Sequence, residues 1–269
     1  MLAWLYSTDL HGNEEKYNNI LEFAVDHQVP LIHLGADLLS KGSDLLGIQK
    51  TFVNGFLKNF FKKCRKKGID VICSWGNDDI YPLKIYFKKY GSLLDEVPYC
   101  REGYEFKAYP WVTDYPFRLK TATKLDSDGW SCPDPYLGSP CDFDEQGYFE
   151  IPDIKEYFRK KGTIEDDLKS LKATNKTIMS MHMPPAGVEL DVCYGGRRVG
   201  SKAIYSWIEK NQPLAVLCGH VHESPKVSGF WKANIGNTLV IQPGQDTYKT
   251  TMVCCEVSEK DIKATLIEK

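Results

Sequence analysis

The sequence lacks the features that would place the protein in a membrane or make it a strong binder of polyanions. No apolar run in the 269 residues approaches the length of a membrane span. The formal net charge is only −2, so nucleic acid and anionic membranes are not favoured as the main partners. The N-terminal stretch MLAWLYSTDLHG has no basic segment, and its apolar run is too short for a signal peptide. These features predict a soluble, cytoplasmic, globular protein.

The sequence also lacks any CxxC pair, although it contains nine cysteines. An odd number of scattered cysteines argues against a disulfide framework, and the missing pairs argue against a thiolate zinc site. Several cysteines lie inside apolar runs such as VICSW, AVLCG and MVCCEV. We therefore expect reduced thiols that fill the core of a protein kept in a reducing compartment.

The first third of the chain alternates short apolar runs with amphipathic segments. LAWLY (2–6), PLIHLG (30–35) and DVICSW (70–75) are typical of buried strands. A helical pattern follows the possible N-cap Asn13, and a long apolar stripe at helical spacing runs from 48 to 64. This β-α-β-α-β order predicts an α/β protein with parallel strands joined by helical crossovers.

The middle of the chain interrupts this alternation at about 98–155. Its first part is aromatic and strand-like, and its second part is rich in Pro, Gly and Asp. We interpret it as an edge hairpin followed by an excursion over one face, so that 1–269 forms a single domain. Three aromatic side chains here could stack on a ring of a ligand or pack the hairpin, and packing is the favoured interpretation. They are Trp111, Tyr115 and Trp130.

Regular patterns return in the last third of the chain. Helices are predicted near 163–172 and 201–210, and strands at 177–181 and 214–218. The three final apolar runs, TLVIQPG, TTMVCCEVS and IKATLIEK, predict consecutive antiparallel strands.

Five strand-like runs each end in a polar cluster that contains metal-ligating side chains. The clusters contain Asp9 and His11 (STDLHG), Asp37 (LGAD), Asn77 (WGNDD), His182 (MHMPP), and His220 and His222 (CGHVHES). The carboxyl ends of parallel strands meet at one edge of a sheet, so these side chains are expected to converge. Four of the six histidines in the chain fall in these clusters, which strengthens that expectation.

The donor types in these clusters indicate the chemistry. Carboxylates, imidazoles and one amide form a mixed N/O site, which suits divalent Mn, Fe, Zn or Co. Seven ligands are too many for one small ion but suit two ions with a bridging carboxylate. Two ions about 3.5–4 Å apart can hold a shared hydroxide and stabilise the oxygens of a phosphoryl group during in-line displacement.

The ordered motifs DxH, GAD, GND, a lone His and GHVH resemble those of the calcineurin-like metallophosphoesterase superfamily. They extend from residue 9 to residue 222, and the flanking RRVGSKAIYSWIEKNQPLAVLCGHVHES and IGNTLVIQPGQ resemble its compact prokaryotic members. The resemblance implies a four-layer α/β/β/α sandwich of two mixed sheets flanked by helices. It also implies two divalent metal ions, from Mn, Fe, Zn, Ni and Co, and a bridging hydroxide that attacks a phosphoric ester.

The resemblance also implies which residues hold each ion. One ion would be bound by Asp9, His11, Asp37 and His222, and the other by Asp37, Asn77, His182 and His220. The family motif is usually Gly-Asp, whereas here Ala36 lies between Gly35 and Asp37. This inserted residue could displace the bridging carboxylate.

The candidate catalytic residues are Asp78 and Asp79. Many relatives have a histidine at the position of Asp78, where it contacts the substrate and protonates the leaving group. A carboxylate beside two dications stays ionised, so Asp78 is a poor general acid and repels a phosphate dianion. We therefore predict a preference for phosphodiesters or for esters with good leaving groups. Asp79 is predicted to orient neighbouring backbone or a ligand.

Substrate binding is assigned to Arg197 and Arg198, which lie in a Gly-rich loop before a helix with Ser201 as its expected N-cap. Arginine forks suit phosphate oxygens, although exposed loop arginines are also common. The expected partner is a small phosphorylated substrate, with nucleotides among the candidates. His27 and His33 are interpreted as structural.

Two other functions remain open from the sequence. The fold could serve as a catalytically silent scaffold, but scaffolds lose ligands and here every usual ligand type is present. A nuclease could use the lysines of LKNFFKKCRKKG (57–68), yet these are most simply the solvated face of an amphipathic helix. Nucleic acid is therefore a disfavoured partner.

Overall fold

The computed structural model describes residues 2–114, 116, 121–129, 139–258 and 261–269. The strands are β1 (Leu2–Ser7), β2 (Leu31–Leu34), β3 (Asp70–Cys73), β4 (Ser92–Leu93), β5 (Tyr99–Arg101), β6 (Tyr104–Tyr109), β7 (Cys141–Asp144), β8 (Gly147–Glu150), β9 (Thr177–Met181), β10 (Ala215–Leu217), β11 (Lys232–Ile235), β12 (Thr238–Ile241), β13 (Thr251–Ser258) and β14 (Asp261–Glu268). The α-helices are α1 (Glu14–Asp26), α2 (Leu45–Phe52), α3 (Lys58–Lys66), α4 (Lys84–Tyr90), α5 (Ile154–Lys161), α6 (Ile164–Ser170), α7 (Lys202–Asn211) and α8 (Ser224–Ser228).

Two six-stranded mixed sheets form the centre of the fold. The first has the order β14-β13-β1-β2-β3-β4, and β1 to β4 are parallel. The second has the order β11-β12-β10-β9-β6-β5, and its four inner strands are parallel. The carboxyl ends of β1, β2 and β3 therefore lie side by side, as do those of β9 and β10.

Alternating side chains of the strands build three cores between four layers. On β1, Leu5 faces the cluster formed with α1, α2 and α3, whereas Trp4 points to the second sheet. Trp4 meets Phe106 edge-on, with ring centroids 5.4 Å apart. On the far face of the second sheet, Met179 packs with Trp207 of α7. Burial on both sheet faces explains why these strands are almost wholly apolar, and the α/β/β/α sandwich is confirmed.

Local chemistry explains several element boundaries. Asn13 caps α1, because its side chain accepts hydrogen bonds from the N–H groups of Glu15 and Lys16. The predicted long apolar stripe is helical, with a π-helical segment, Val53–Leu57, between α2 and α3. Within the described ranges, no disulfide joins any pair of cysteines. Of the helices in those ranges, none has the length and apolar character needed to cross a membrane.

The expectation that the last three apolar runs form consecutive antiparallel strands is wrong for the first of them. β12 belongs to the second sheet and pairs in parallel with β10, whereas β13 and β14 pair antiparallel in the first sheet. The polar loop 242–250 carries the chain from one sheet to the other. An apolar alternating pattern identifies a strand but not the strand beside it.

The segment at about 98–155 begins as predicted, with a hairpin of β5 and β6 at the edge of the second sheet. β7 and β8 then form a separate hairpin, which is followed by α5. Trp111 packs against two ammonium groups, with Lys124 Nζ 4.5 Å and Lys161 Nζ 5.3 Å from its ring centroid. Tyr115 and Trp130 lie outside the described residues. The single-domain organisation stays a prediction.

The buried His33 makes stability sensitive to acid. It lies between the sheets against Tyr6 and Phe106, and neither ring nitrogen has a hydrogen-bond partner within the described ranges. Burial lowers the pKa of His33 to about 3, whereas a histidine in an unfolded chain titrates near about 6.5. Between these values the unfolded state binds more protons, so the free energy of unfolding falls as the pH is lowered.

When the pH is lowered from 7 to 5, we expect His33 to reduce the free energy of unfolding by about 2 kcal/mol. In His33→Phe this part of the pH dependence should be absent. Urea denaturation at the two pH values measures the difference. His27→Gln is the control, because His27 is exposed at the end of α1 and this variant should keep the wild-type pH dependence. An equal loss in wild type and His33→Phe would contradict the assignment.

Candidate metal centre

The loops that follow β1 and β2 are hydrogen-bonded to each other along their lengths. The N–H groups of Asp9, His11 and Gly12 donate to the carbonyls of Ala36, Asp37 and Leu38, at 2.9, 3.0 and 2.9 Å. Ala36 therefore takes part in this pairing and does not displace Asp37 from the other predicted ligands. The two loops therefore form one hydrogen-bonded unit that carries three of the predicted ligands, Asp9, His11 and Asp37.

Four predicted ligands have left-handed backbone conformations, which are uncommon outside glycine. The φ angles are 57° for Asp9, 44° for His11, 54° for Asp37 and 69° for His220. Such residues cost about 1–3 kcal/mol each and cluster at functional sites. The fold thus holds strained backbone at the positions that the strand-end clusters identify.

Two glycines allow the loops to approach one another. A Cβ on Gly76 would lie 2.1 Å from Asp37 Oδ1, and one on Gly219 would lie 2.5 Å from Asp9 Oδ2. Both distances are far shorter than a carbon–oxygen contact allows. The backbone after β3 and β10 can therefore lie directly against the two carboxylates only because these residues are glycines.

Asp9, His11 and His222 form the first donor group, in which the ligand atoms lie within 4.8 Å of one another. Nε2 of His222 lies 3.2 Å from Asp9 Oδ1 and 3.1 Å from Nε2 of His11. His222 is one-third exposed, whereas Asp9 is buried, so the group opens towards solvent on the His222 side.

Asp37, His182 and His220 form the second donor group, and Asn77 completes it. Nε2 of His182 lies 3.2 Å from Asp37 Oδ2 and 3.0 Å from Asn77 Oδ1. Nδ1 of His220 lies 2.9 Å from the same amide oxygen. This group is more deeply buried than the first.

The two groups adjoin each other. Asp9 Oδ1 lies 3.9 Å from Nε2 of His182, and Asp37 also groups with His11 and Asp78 within 4.8 Å. The backbone N–H of His220 donates to Oδ1 and Oδ2 of Asp9, at 3.2 Å each. The structure thus brings all seven predicted ligands into one basin, with Asp37 between the groups.

The shifts of three predicted ligands, Asp9, Asp37 and His11, favour the protonation states that bind metal. Burial opposes ionisation of Asp9, but His222 and His182 outweigh it and hold the pKa of Asp9 below its usual range. Burial likewise opposes ionisation of Asp37, yet His182 and His11 keep its pKa well below normal. Burial lowers the pKa of His11 to about 3. Ionised carboxylates and a neutral imidazole are the forms that ligate metals.

The residues present fit divalent cations. Ring nitrogens 3.1 Å apart, as in His11 and His222, need a shared proton or a cation between them. Three carboxylate or amide oxygens and four imidazoles converge without a thiolate, which is the donor set of borderline and harder metal ions. The arrangement can hold metal ions at two adjoining positions.

A family model described as calcineurin-like phosphoesterase matches residues 5–224, which is most of the chain. The protein belongs to the calcineurin-like phosphoesterase family. This match confirms the resemblance found in the sequence. Members of this family use divalent metals. No curated protein sequence matches the chain significantly.

Solved structures share the fold of this phosphoesterase at low sequence identity. The protein TT1561 of Thermus thermophilus has a TM-score of 0.56 and 16% identity, and the match covers 98% of each chain. A dimetal phosphatase from Danio rerio has a TM-score of 0.55 and 11% identity, covering 99% of this chain and 98% of that one. At these identities the likeness concerns the fold alone.

The Asp79 side chain is hydrogen-bonded to backbone. Its carboxylate accepts hydrogen bonds from the N–H groups of Leu38, Leu39 and Gly76, at 2.8 to 3.2 Å. Burial raises the pKa of Asp79 to about 8, and the charge of Asp37 adds to this shift. Asp79 thus holds the loop that carries Asp37. A catalytic role for Asp79 stays a prediction.

Three further residues support the centre and were missed in the sequence. Asp114 Oδ2 lies 3.7 Å from Nε2 of His220, on the opposite side of the ring from Asn77. Gln49 of α2 donates to the Asp78 carbonyl at 2.6 Å and accepts from the Ile80 N–H at 3.1 Å. Lys41 Nζ lies 2.7 Å from Asp78 Oδ2. Nothing in their local sequence patterns distinguishes them from surface residues.

The predicted substrate-binding arginines, Arg197 and Arg198, lie in an exposed loop. Arg198 forms an ion pair with Glu189, with both carboxylate oxygens 2.7 Å from its Nη2. Arg197 is exposed in the same loop, which adjoins α8 through a hydrogen bond from the Tyr194 N–H to Glu223. Ser201 caps α7 as expected, accepting from the Ile204 N–H at 2.9 Å. Phosphate binding by these arginines stays a prediction.

Proposed function

We propose that the protein hydrolyses phosphoric esters with two bound divalent cations, and that phosphodiesters or esters with good leaving groups are its preferred substrates. The observation that carries this proposal is the pair of adjoining donor groups with Asp37 between them. When bound, the two cations generate a hydroxide nucleophile from water and neutralise charge on the phosphoryl oxygens. Mn, Fe, Zn, Ni and Co all suit the mixed donor set.

The chain itself contributes position and charge. Asp9, His11, Asp37 and His222 would hold one cation, and Asp37, Asn77, His182 and His220 the other. Asp78 replaces the histidine of many relatives, and both of its oxygens already accept contacts, from Lys41 and from the Asn77 amide. These contacts stabilise the carboxylate form, which cannot protonate a leaving group. Good leaving groups are therefore favoured.

A cavity of about 610 Å³ is lined largely by the segment at about 98–155, and none of its described lining residues is a predicted ligand. Its walls include Trp75, Trp111, Thr121 and Phe143. Thr121 donates through its N–H to the carbonyl of Asn77, so the cavity wall is attached to a predicted ligand. A role of this segment in choosing the leaving group stays a prediction.

The other two functions have less support. A silent scaffold would not need a complete ligand set or strained backbone at four of its members. A nuclease requires a broad basic surface, and a net charge of −2 gives little support for such a surface.

Metal removal and add-back test the proposed function. The purified protein is assayed for bound metal, stripped with a chelator, and given Mn²⁺, Ni²⁺ or Zn²⁺ before assay with aryl diesters, phosphomonoesters, cyclic nucleotides and nucleotides. We expect no hydrolysis without metal, about two ions per chain on add-back, and fastest turnover of aryl diesters. Hydrolysis that persists after complete stripping, or one ion per chain at full activity, would contradict the two-cation proposal.

A further inference from the structure

The carboxylate of Asp78 lies beside predicted ligands of the metal centre. One of its oxygens is within 4.8 Å of ligand atoms of His11 and Asp37, and its side chain is only 3% exposed. One oxygen accepts a hydrogen bond from the Asn77 amide at 2.8 Å, and the backbone N–H of Asp78 donates to Asp37 Oδ1 at 2.8 Å. Asp78 is therefore fixed in place and cannot turn away from an anionic substrate.

Lys41 places a positive charge on the second oxygen of this carboxylate. Its Nζ lies 2.7 Å from Asp78 Oδ2, and its side chain is 40% exposed. An ammonium group has three N–H donors, so the contact with Asp78 leaves two for other acceptors. The partner of the buried Asp78 carboxylate is thus a cation whose side chain is partly open to solvent.

The loop that carries Lys41 is held against the centre by packing. Its Leu38 and Leu39 N–H groups bind Asp79, and the Leu38 carbonyl accepts from Gly12. Gly12 has a φ of +71°, and a Cβ there would lie 2.0 Å from Ser40 Oγ. Ser40 therefore packs directly against the turn that carries His11. Lys41 is the next residue in the chain, so this packing places it near the centre.

The charge at this position matters unequally for the two ester classes. A phosphomonoester carries a charge of about −1.5 to −2 at neutral pH, whereas a diester carries about −1. Without a neighbouring cation, the Asp78 carboxylate would repel the monoester more strongly, because the Coulomb energy scales with the product of the charges. An ammonium beside Asp78 cancels that difference.

We propose that Lys41 is a specificity-determining residue that offsets the charge of Asp78 and contacts the phosphoryl group, so that dianionic monoesters are accepted beside diesters. This inference rests on the proposed function of the same site. It also revises the sequence argument that Asp78 alone repels dianions. The preference for good leaving groups is unaffected, because it depends on proton donation and not on this charge.

The test compares p-nitrophenyl phosphate with bis(p-nitrophenyl) phosphate, which share a leaving group and differ in charge. We expect Lys41→Met to lower kcat/KM for the monoester about tenfold more than for the diester, chiefly through KM. Inhibition by inorganic phosphate should weaken by a similar factor. Metal content measured on the same samples should match the wild type, which separates a charge effect from loss of metal.

Three variants serve as controls. Lys41→Arg should keep the monoester-to-diester ratio within about threefold of wild type, because the charge remains. The double variant Lys41→Met/Asp78→Asn should restore the ratio, because both charges are removed while the Asn77 amide keeps an acceptor. Lys88→Met should leave the ratio unchanged, since Lys88 forms a similar pair with Glu96, at 2.7 Å, away from the centre.

If Lys41→Met keeps the wild-type monoester-to-diester ratio of kcat/KM at full metal content, the assignment of Lys41 is overturned. This holds whether both substrates are turned over as before or both lose activity equally. If the wild type hydrolyses neither substrate with any metal, the proposed function fails instead. In that case phosphate binding to the metal-loaded protein, measured by calorimetry in wild type and Lys41→Met, still decides the role of Lys41. Equal affinities would overturn it, and a loss of about tenfold would support it.

Discussion

His220→Ala is expected to lower phosphoesterase activity by about 10³-fold or more and to remove one metal ion per chain, while the protein stays folded. Nδ1 of His220 lies 2.9 Å from Asn77 Oδ1 in the second donor group, so the variant deletes a predicted ligand. Fewer ligands cannot keep the second cation, and a single cation stabilises less charge in the transition state. Activity with aryl diesters and metal content by mass spectrometry give the two measurements.

Stability should change little in this variant. The His220 backbone N–H still donates to Asp9 after truncation, and Gly219 still allows the close approach of the loop. We expect a loss of about 1–2 kcal/mol in the free energy of unfolding, typical of a partly buried side chain. His27→Ala is the control, because it removes an exposed histidine and should keep both metal ions and activity. Activity retained in His220→Ala at wild-type level would count heavily against the centre.

The convergence of the seven predicted ligands was predictable because it follows from topology. Each of the seven follows the carboxyl end of a strand, and the parallel order of β1, β2 and β3 brings three of these ends together. The second sheet brings the ends of β9 and β10 to the same place across the sandwich. Histidine is rare in this chain, so its presence at strand ends was a strong local signal. The sequence order of the clusters then identified the family.

The supporting residues were not predictable in the same way. Lys41 lies in SKGSD, a stretch that resembles any solvated loop, and only the packing of Gly12 on Ser40 brings it to Asp78. Gln49 has a polar side chain in an amphipathic helix, yet it is fully buried and bonded to the turn at 78–80. Such contacts join segments far apart in the chain, and no local periodicity specifies them. The placement of β12 failed for the same reason.

Asp79→Ala is expected to cost about 3–5 kcal/mol in the free energy of unfolding and to abolish metal binding. The buried carboxylate of Asp79 accepts three backbone N–H groups, from Leu38, Leu39 and Gly76. Each buried donor left without an acceptor costs about 1–3 kcal/mol, unless water enters. The first two donors follow Asp37 directly, so their release also frees the Asp37 carboxylate, which lies between the two donor groups. Urea denaturation and metal titration measure the two effects.

Asp153→Ala is the matched control for this variant. Asp153 also accepts two backbone N–H groups, from Lys155 and Glu156, but it caps α5 at the exposed surface. Its loss should cost about 1 kcal/mol and leave metal binding intact, because water replaces the lost acceptor. Asp79→Asn keeps one acceptor oxygen and should fall between wild type and Asp79→Ala in both measurements. If Asp79→Ala instead matched Asp153→Ala, the loop carrying Asp37 would be held by its bonds to the Asp9–Gly12 turn alone.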